Sequence, residues 1–195
     1  MSTSTMTSAG IKEGMSMKKA LLLYCSVTGN TQKVAGAIEA GLAEGGMETS
    51  LVNFKDADKL DYFDYDLVCV GSPSYNWSVP LPFNDFLKKK FAYYKSIGKI
   101  VPNSPRVGKK ALVFCTYSGP HTGIDEAIPT GLYMGQFFDH MGFDILDKWY
   151  VLCEFIGSEE MSTLGRMGDI RGLPTEKDLA DLKEKAKKLA LAHFC

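Results

Sequence analysis

The chain lacks a membrane-spanning run: no stretch of it approaches the roughly 18 consecutive apolar residues that a transmembrane helix needs. It also lacks a charge bias. With 22 Lys and Arg against 23 Asp and Glu, the formal net charge is -1. No global field therefore steers it toward nucleic acid or an anionic bilayer, and neither partner is expected. No C-x-x-C pair occurs among Cys25, Cys69, Cys115, Cys153 and Cys195, which removes the usual spacing for a zinc site or an iron–sulfur cluster. The odd number and wide spacing of these cysteines fit a reducing cytoplasm. Four of the five sit in apolar runs, the setting of buried structural thiols without redox work. No internal repeat or linker divides the 195 residues, a length that suits one domain built on a five-stranded sheet.

Residues 1–16 are rich in Ser, Thr, Met and Gly, show no period, and carry Lys12 as their sole basic residue. They predict a disordered tail or cloning remnant, with a single folded domain over 17–195. A secretory signal is not expected, because Ala20–Tyr24 is too short an apolar core and ends in no suitable cleavage site.

From Lys18 onward, short apolar runs alternate with longer helical patterns, the signature of βαβ units and a parallel sheet. The candidate strands are Ala20–Cys25, Ser50–Phe54, Leu67–Gly71, Ala111–Cys115 and Trp149–Phe155. Several are nearly continuous in apolar residues, as strands covered on both faces must be. Val34, Ile38, Gly41 and Leu42 share one face of a helix from about Asn30 to Gly45-Gly46, and Phe83, Phe86, Leu87 and Phe91 repeat at the same spacing. Ile124, Ile128 and Leu132 begin a third helix reaching about Met141, which Pro129 disturbs or splits. A last helix starts at Pro174-Thr175-Glu176-Lys177-Asp178 and buries Leu179, Leu182, Ala186, Leu189 and Ala190. Two long connections, 93–110 and 157–173, have the length at which loops tend to be functional.

In an open α/β sheet, ligands bind beyond the carboxyl ends of the strands, where the strand order reverses. Three loops of unusual composition leave those ends. Ser26-Val27-Thr28-Gly29-Asn30-Thr31 follows a strand and opens a helix, so its backbone N–H groups, its hydroxyls and the helix dipole converge on an anion. It has no Lys and is not a G-x-x-x-x-G-K-[ST] loop, but neutral donors suffice for one terminal phosphate. Gly71-Ser72-Pro73-Ser74-Tyr75-Asn76-Trp77-Ser78-Val79-Pro80 combines stiffening prolines with two flat aromatics fit to stack on a planar ring. Thr116-Tyr117-Ser118-Gly119-Pro120-His121-Thr122-Gly123 again offers an aromatic, hydroxyls and glycines ahead of a helix.

These loops resemble those of the flavodoxin-like FMN-binding family. Thr28-Gly29-Asn30-Thr31 is similar to its phosphate loop, and Gly71-Ser72-Pro73-Ser74-Tyr75 to its ring-binding loop, with the likeness running from about Lys18 to His193. The resemblance implies a doubly wound α/β fold with a five-stranded parallel sheet of order 2-1-3-4-5. Flavodoxin is itself a known instance of the switch-point rule, so that placement belongs to the resemblance and is not a separate derivation. It further implies FMN, with its phosphate on Ser26, Thr28, Asn30 and Thr31 alongside Val27 and Gly29. Pro73, Ser74, Tyr75, Asn76 and Trp77 would frame the isoalloxazine, and Thr116, Tyr117, Ser118 and Gly119 would close its far side. Tyr75, Trp77 and Tyr117 all remain candidates to stack.

The family implies a carrier passing electrons to a redox partner protein. The alternatives are an FMN-dependent NAD(P)H:quinone-type oxidoreductase and a cofactor-free interaction module. Electron-carrying flavodoxins are usually strongly acidic, whereas this chain is near neutral, and Lys88-Lys89-Lys90 is followed by Lys95, Lys99, Arg106, Lys109 and Lys110. Those cations read either as a solvated face or as a site for an acidic partner or a nicotinamide dinucleotide phosphate. His121 stands where carriers tend to be acidic, as a catalytic proton donor or an incidental loop residue. Arg166, Asp169 and Arg171 either reach the flavin mouth or pair with one another.

Overall fold

The computed structural model describes residues 17–194, and the tail expected over 1–16 lies outside them, as does Cys195. Five strands, β1 (Lys19–Tyr24), β2 (Glu48–Asn53), β3 (Leu67–Pro73), β4 (Lys110–Tyr117) and β5 (Asp144–Leu152), form one sheet of order β2-β1-β3-β4-β5. Every pairing is parallel. This is the order and architecture that the resemblance implied. The helices are α1 (Asn30–Glu44), α2 (Leu81–Ser96), α3 (Ile128–His140), α4 (Glu159–Thr163) and α5 (Glu176–Phe194). Among the described residues, no helix is long and apolar enough to cross a membrane.

Alternation along the strands divides the core into two layers. Leu21, Leu23, Val68, Val70, Val113 and Cys115 belong to the layer shared with Phe83, Leu87 and Tyr94 of α2 and Met134 and Phe138 of α3. Ala20, Leu22, Cys69, Leu112 and Phe114 pack in the other layer with Val34, Ile38 and Leu42 of α1 and with Ala186 and Ala190 of α5. The proline in the third helical pattern splits it as its chemistry requires: a 3-10 turn over Gly123–Glu126 precedes α3, and Pro129 falls in the first turn of α3, where a missing N–H costs nothing.

Three readings of the sequence are corrected. The last strand begins at Asp144, five residues before the expected Trp149, and ends at Leu152. Among the described residues it is an edge strand paired with β4 alone, so Asp144, Asp147 and Lys148 are tolerated in it and mask its pattern. The connection 157–173 contains α4, which Ser158 caps by accepting the Met161 N–H at 3.2 Å. Finally, Lys90 is no solvated cation. It is 4% exposed, donates to the Asp58 and Leu60 carbonyls at 2.7 Å each, and lies over the Tyr62 ring. Burial pulls its ammonium below the ordinary lysine range.

The parallel sheet gathers the ends of β1, β3, β4 and β5 at one edge, where the three loops lie. The lysine-rich segment lies toward the other edge. Lys110 opens β4, an eight-residue strand, which at about 3.3 Å per residue puts it roughly 23 Å from the carboxyl end. Several of these cations are also paired, Lys89 with Asp58, Lys109 with Asp66, and Arg106 with Asp139 and Asp144.

Candidate cofactor site

The turn after β1 is shaped by Gly29, whose φ of 97° lies in the left-handed region that glycine occupies without strain. Ser26 Oγ accepts the N–H of Gly29 at 3.2 Å and of Gln32 at 3.3 Å. The backbone N–H groups of Val27, Thr28, Asn30 and Thr31 meet no acceptor within the described residues. These open donors converge at the N-terminus of α1, where the dipole adds partial positive charge. Asn30 and Thr31 are buried there. Asn30 Nδ2 donates to the Glu154 carbonyl at 3.3 Å, and Thr31 Oγ1 shares a 2.8 Å hydrogen bond with Thr116 Oγ1. The loop is thus bolted to the ends of β4 and β5 by its own side chains.

After β3, Tyr75 and Ser78 exchange both backbone hydrogen bonds, at 2.8 and 3.0 Å, around a two-residue turn. Asn76 and Trp77 occupy that turn with φ of 48° and 61°. Positive φ is uncommon for non-glycine residues and costly for a bulky side chain, and such strain clusters at ligand sites. After β4, Gly119 and Gly123 have φ of 55° and 72°, and the Gly123 N–H returns to the Gly119 carbonyl at 3.0 Å.

These loops enclose a cleft of about 460 Å³, within the range of small-molecule sites. Of the residues expected to bind cofactor, Thr28, Asn30, Pro73, Ser74, Tyr75, Asn76, Thr116, Tyr117, Ser118 and Gly119 line it, and so does His121. Trp77 is 63% exposed and stands outside that lining, on the turn next to Tyr75. Ser26, Val27, Gly29 and Thr31 build the phosphate-type loop without lining the cleft wall.

Sequence reasoning missed a further wall. Cys153, Glu154, Phe155, Ile156 and Met161 line the cleft from beyond β5, and Pro120 and Glu126 complete it. The switch-point rule contained the signal for the β5 end, since that strand also opens at the carboxyl edge. Arg166 donates its backbone N–H to the Pro120 carbonyl at 2.7 Å, so the 157–173 connection does reach the third loop. Asp169 and Arg171 pair at 2.6 Å, and the guanidinium beside it pulls the Asp169 carboxyl down to about 2. Of their two readings, the mutual pairing is the one observed.

Among the described residues no Lys or Arg lines the cleft, and the acidic side chains on it are Glu126 and Glu154. An anionic group seated there is held by neutral donors, which the open amides and the Ser and Thr hydroxyls provide. That donor set fits a single terminal phosphate ester, and the flanking loops fit a planar heterocycle with polar edges.

The four described cysteines are buried and unpaired. Burial pushes the Cys25 thiol up to about 11, partly offset by Lys55, and the cleft-lining Cys153 up to about 12. Cys69 and Cys115 are raised by burial as well. Thiols are alkylated as thiolates. At pH 8 iodoacetamide is therefore expected to leave Cys25, Cys69, Cys115 and Cys153 unmodified in the folded protein and to label them after denaturation. Peptide mass spectrometry reads the result, and modification of native Cys153 would refute the inert assignment.

A profile of the flavodoxin domain family matches residues 21–140, well over half of the chain. The chain is 40% identical over 62 residues to a probable flavodoxin 2 of Bacillus subtilis, 31% of this chain and 40% of that one. It is 33% identical over 76 residues to a probable flavodoxin 1 of the same organism, 37% and 47% of the two chains. These matches span less than half the length of either relative. Among solved structures, an archaeal flavodoxin superposes with a TM-score of 0.58 at 20% identity, over 88% of this chain and 96% of that one. A flavodoxin of Streptococcus pneumoniae gives 0.61 at 16% identity, over 89% and 97%. These two agree with the fold already described. The profile match settles the lineage: the chain belongs to the flavodoxin domain family, a family of FMN-binding proteins.

Proposed function

We propose that the cleft holds FMN non-covalently and that the protein is a flavodoxin-type electron carrier serving a redox partner protein. The observation that carries this reading is the set of open N–H groups at Val27, Thr28, Asn30 and Thr31, beside a cleft whose lining, among the described residues, offers hydroxyls and no Lys or Arg. Ser26 and the hydroxyl loop receive the phosphate, Pro73–Asn76 take one side of the isoalloxazine, and Thr116–Gly119 take the other. Tyr75 and Tyr117 are the stacking candidates, since both line the cleft. Bound flavin supplies the redox chemistry, while the chain binds it, orients it and limits water around it. A carrier needs one such cleft. The lysine-rich segment lies toward the opposite edge of the sheet, away from any ligand in contact with the ring.

His121 on the cleft wall supports a second reading, an NAD(P)H:quinone-type oxidoreductase in which the imidazole hands a proton to the acceptor. The purified protein is expected to be yellow and to release FMN on denaturation; a colourless protein that FMN fails to reconstitute would sink both readings. A redox titration with two separated one-electron steps supports the carrier. Rapid bleaching by NADPH with sustained quinone turnover, abolished in His121→Ala, supports the oxidoreductase.

A further inference from the structure

We propose that Glu126 is a positioning residue that fixes the two ring-flanking loops against each other, so that the strength of flavin-ring binding depends on it. The inference rests on the FMN reading of the cleft. One oxygen of its side chain, Oε1, accepts the backbone N–H of both His121 and Thr122 at 2.7 Å. Its backbone carbonyl accepts the Ser74 hydroxyl at 2.5 Å, and Ser74 Oγ in turn meets Thr130 Oγ1, on α3, at 2.9 Å. The residue thus ties the loop after β4 to the loop after β3 from the floor between them, and it lines the cleft itself.

The geometry makes this tie consequential. The loop after β4 turns back on itself through Gly119 and Gly123, and on its other side the Arg166 N–H holds the Pro120 carbonyl. His121 and Thr122 are exposed, and their two amides point at one carboxylate oxygen. One side-chain oxygen accepting two adjacent backbone N–H groups holds both amides in a single geometry. Remove the carboxylate, and the tip of the loop keeps the Arg166 N–H on Pro120 and the Gly119–Gly123 turn, while its base stays fixed by Ser74 N–H on the Thr116 carbonyl and Cys153 N–H on the Tyr117 carbonyl. Ser118 and Gly119, which follow the fixed end of β4, then lose their set distance from Ser74 and Tyr75, and the slot for the ring widens at its outer part. The phosphate loop is tied down separately, through Asn30 to Glu154 and through Thr31 to Thr116, and stays as it is.

Riboflavin, which has the ring and no phosphate, separates the two ends of the site. Binding of FMN and of riboflavin to the flavin-free protein is followed by quenching of flavin fluorescence, with thermal unfolding of each variant as a check on folding. Glu126→Ala is expected to weaken both ligands by about tenfold, about 1.4 kcal/mol each, leaving their ratio unchanged. Glu126→Gln, whose amide oxygen still accepts both N–H groups, is expected to stay near wild type. Glu126→Asp, one methylene short of them, is expected to follow alanine and covers the case in which alanine does not fold. Wild-type riboflavin affinity in both the alanine and the aspartate variants would overturn the assignment. So would a loss confined to FMN, or a glutamine variant as weak as alanine, since charge and not hydrogen-bond reach would then be the cause. Failure of the wild type to bind either flavin would instead overturn the cofactor reading, and is told apart because it precedes any mutation.

Discussion

Valine at both Thr28 and Thr31 is expected to lower FMN affinity by about tenfold to a hundredfold, and by more than it lowers riboflavin affinity. A hydrogen bond to a charged group contributes about 1.5–3 kcal/mol, so losing the one from Thr28 costs about tenfold to a hundredfold, every 1.4 kcal/mol being tenfold. The Thr28 hydroxyl is exposed on the cleft wall and is replaced outright. Thr31 acts through a buried contact: its Oγ1 lies 2.8 Å from Thr116 Oγ1, so valine also strands the Thr116 hydroxyl at the floor of the site. Trp77→Ala, which removes a side chain outside the lining, is expected to change affinity by less than about threefold, as exposed substitutions generally do. Equilibrium fluorescence titration decides the matter. A double-valine variant that keeps wild-type FMN affinity would refute the phosphate assignment.

Gly41→Ala is expected to destabilise the fold by about 2 kcal/mol or more, the cost of overpacking a tight contact, and to lower Tm by about 4–8 °C for a chain of this size. A Cβ at Gly41 would strike the Lys183 carbonyl oxygen, lie 2.9 Å from its carbon and come within 2.8 Å of the Ala186 Cβ. The Lys183 atoms are backbone and cannot swing aside, so α1 and α5 must separate, and Ala186 and Ala190 lose their packing on the sheet. Gly36, in the same helix, has open space around it. Gly36→Ala is therefore the control and is expected to stabilise by up to about 1 kcal/mol through helix propensity alone. Thermal denaturation followed by circular dichroism compares them, and equal Tm values would contradict the close α1–α5 approach.

How much of this could be read in the sequence depended on how far local chemistry determined it. β1, β3 and β4 are buried on both faces, and an unbroken apolar run such as Ala20–Leu23 admits few other readings. Pro129 announced its own break. The phosphate-type loop was legible because consecutive residues supply the whole device. The cleft walls were less so, because they are assembled from several separate segments. Tyr75 and Trp77 look alike in the sequence, and the turn that places Tyr75 on the cleft wall and Trp77 beside it forms only in the fold. Half of the role of Glu126 is local, since His121 and Thr122 lie five and four positions before it, but Ser74 becomes its neighbour only when the loops after β3 and β4 converge. Lys90 was hidden for the same reason, since the carbonyls that receive it come from Asp58 and Leu60, about thirty positions away in the chain.

The charges that disguised β5 have one more effect. A parallel sheet open at both sides offers its outer strands as templates on which a second chain can extend it. On β5, Asp147 and Lys148 interrupt the apolar pattern, Asp147 receives the Trp149 indole N–H at 2.7 Å, and Lys185 of α5 lies over that indole and beside Asp147. A foreign strand docking there would have to desolvate these groups and displace the Lys185 side chain. The features that made this strand hard to recognise thus also protect the sheet from edge-to-edge aggregation.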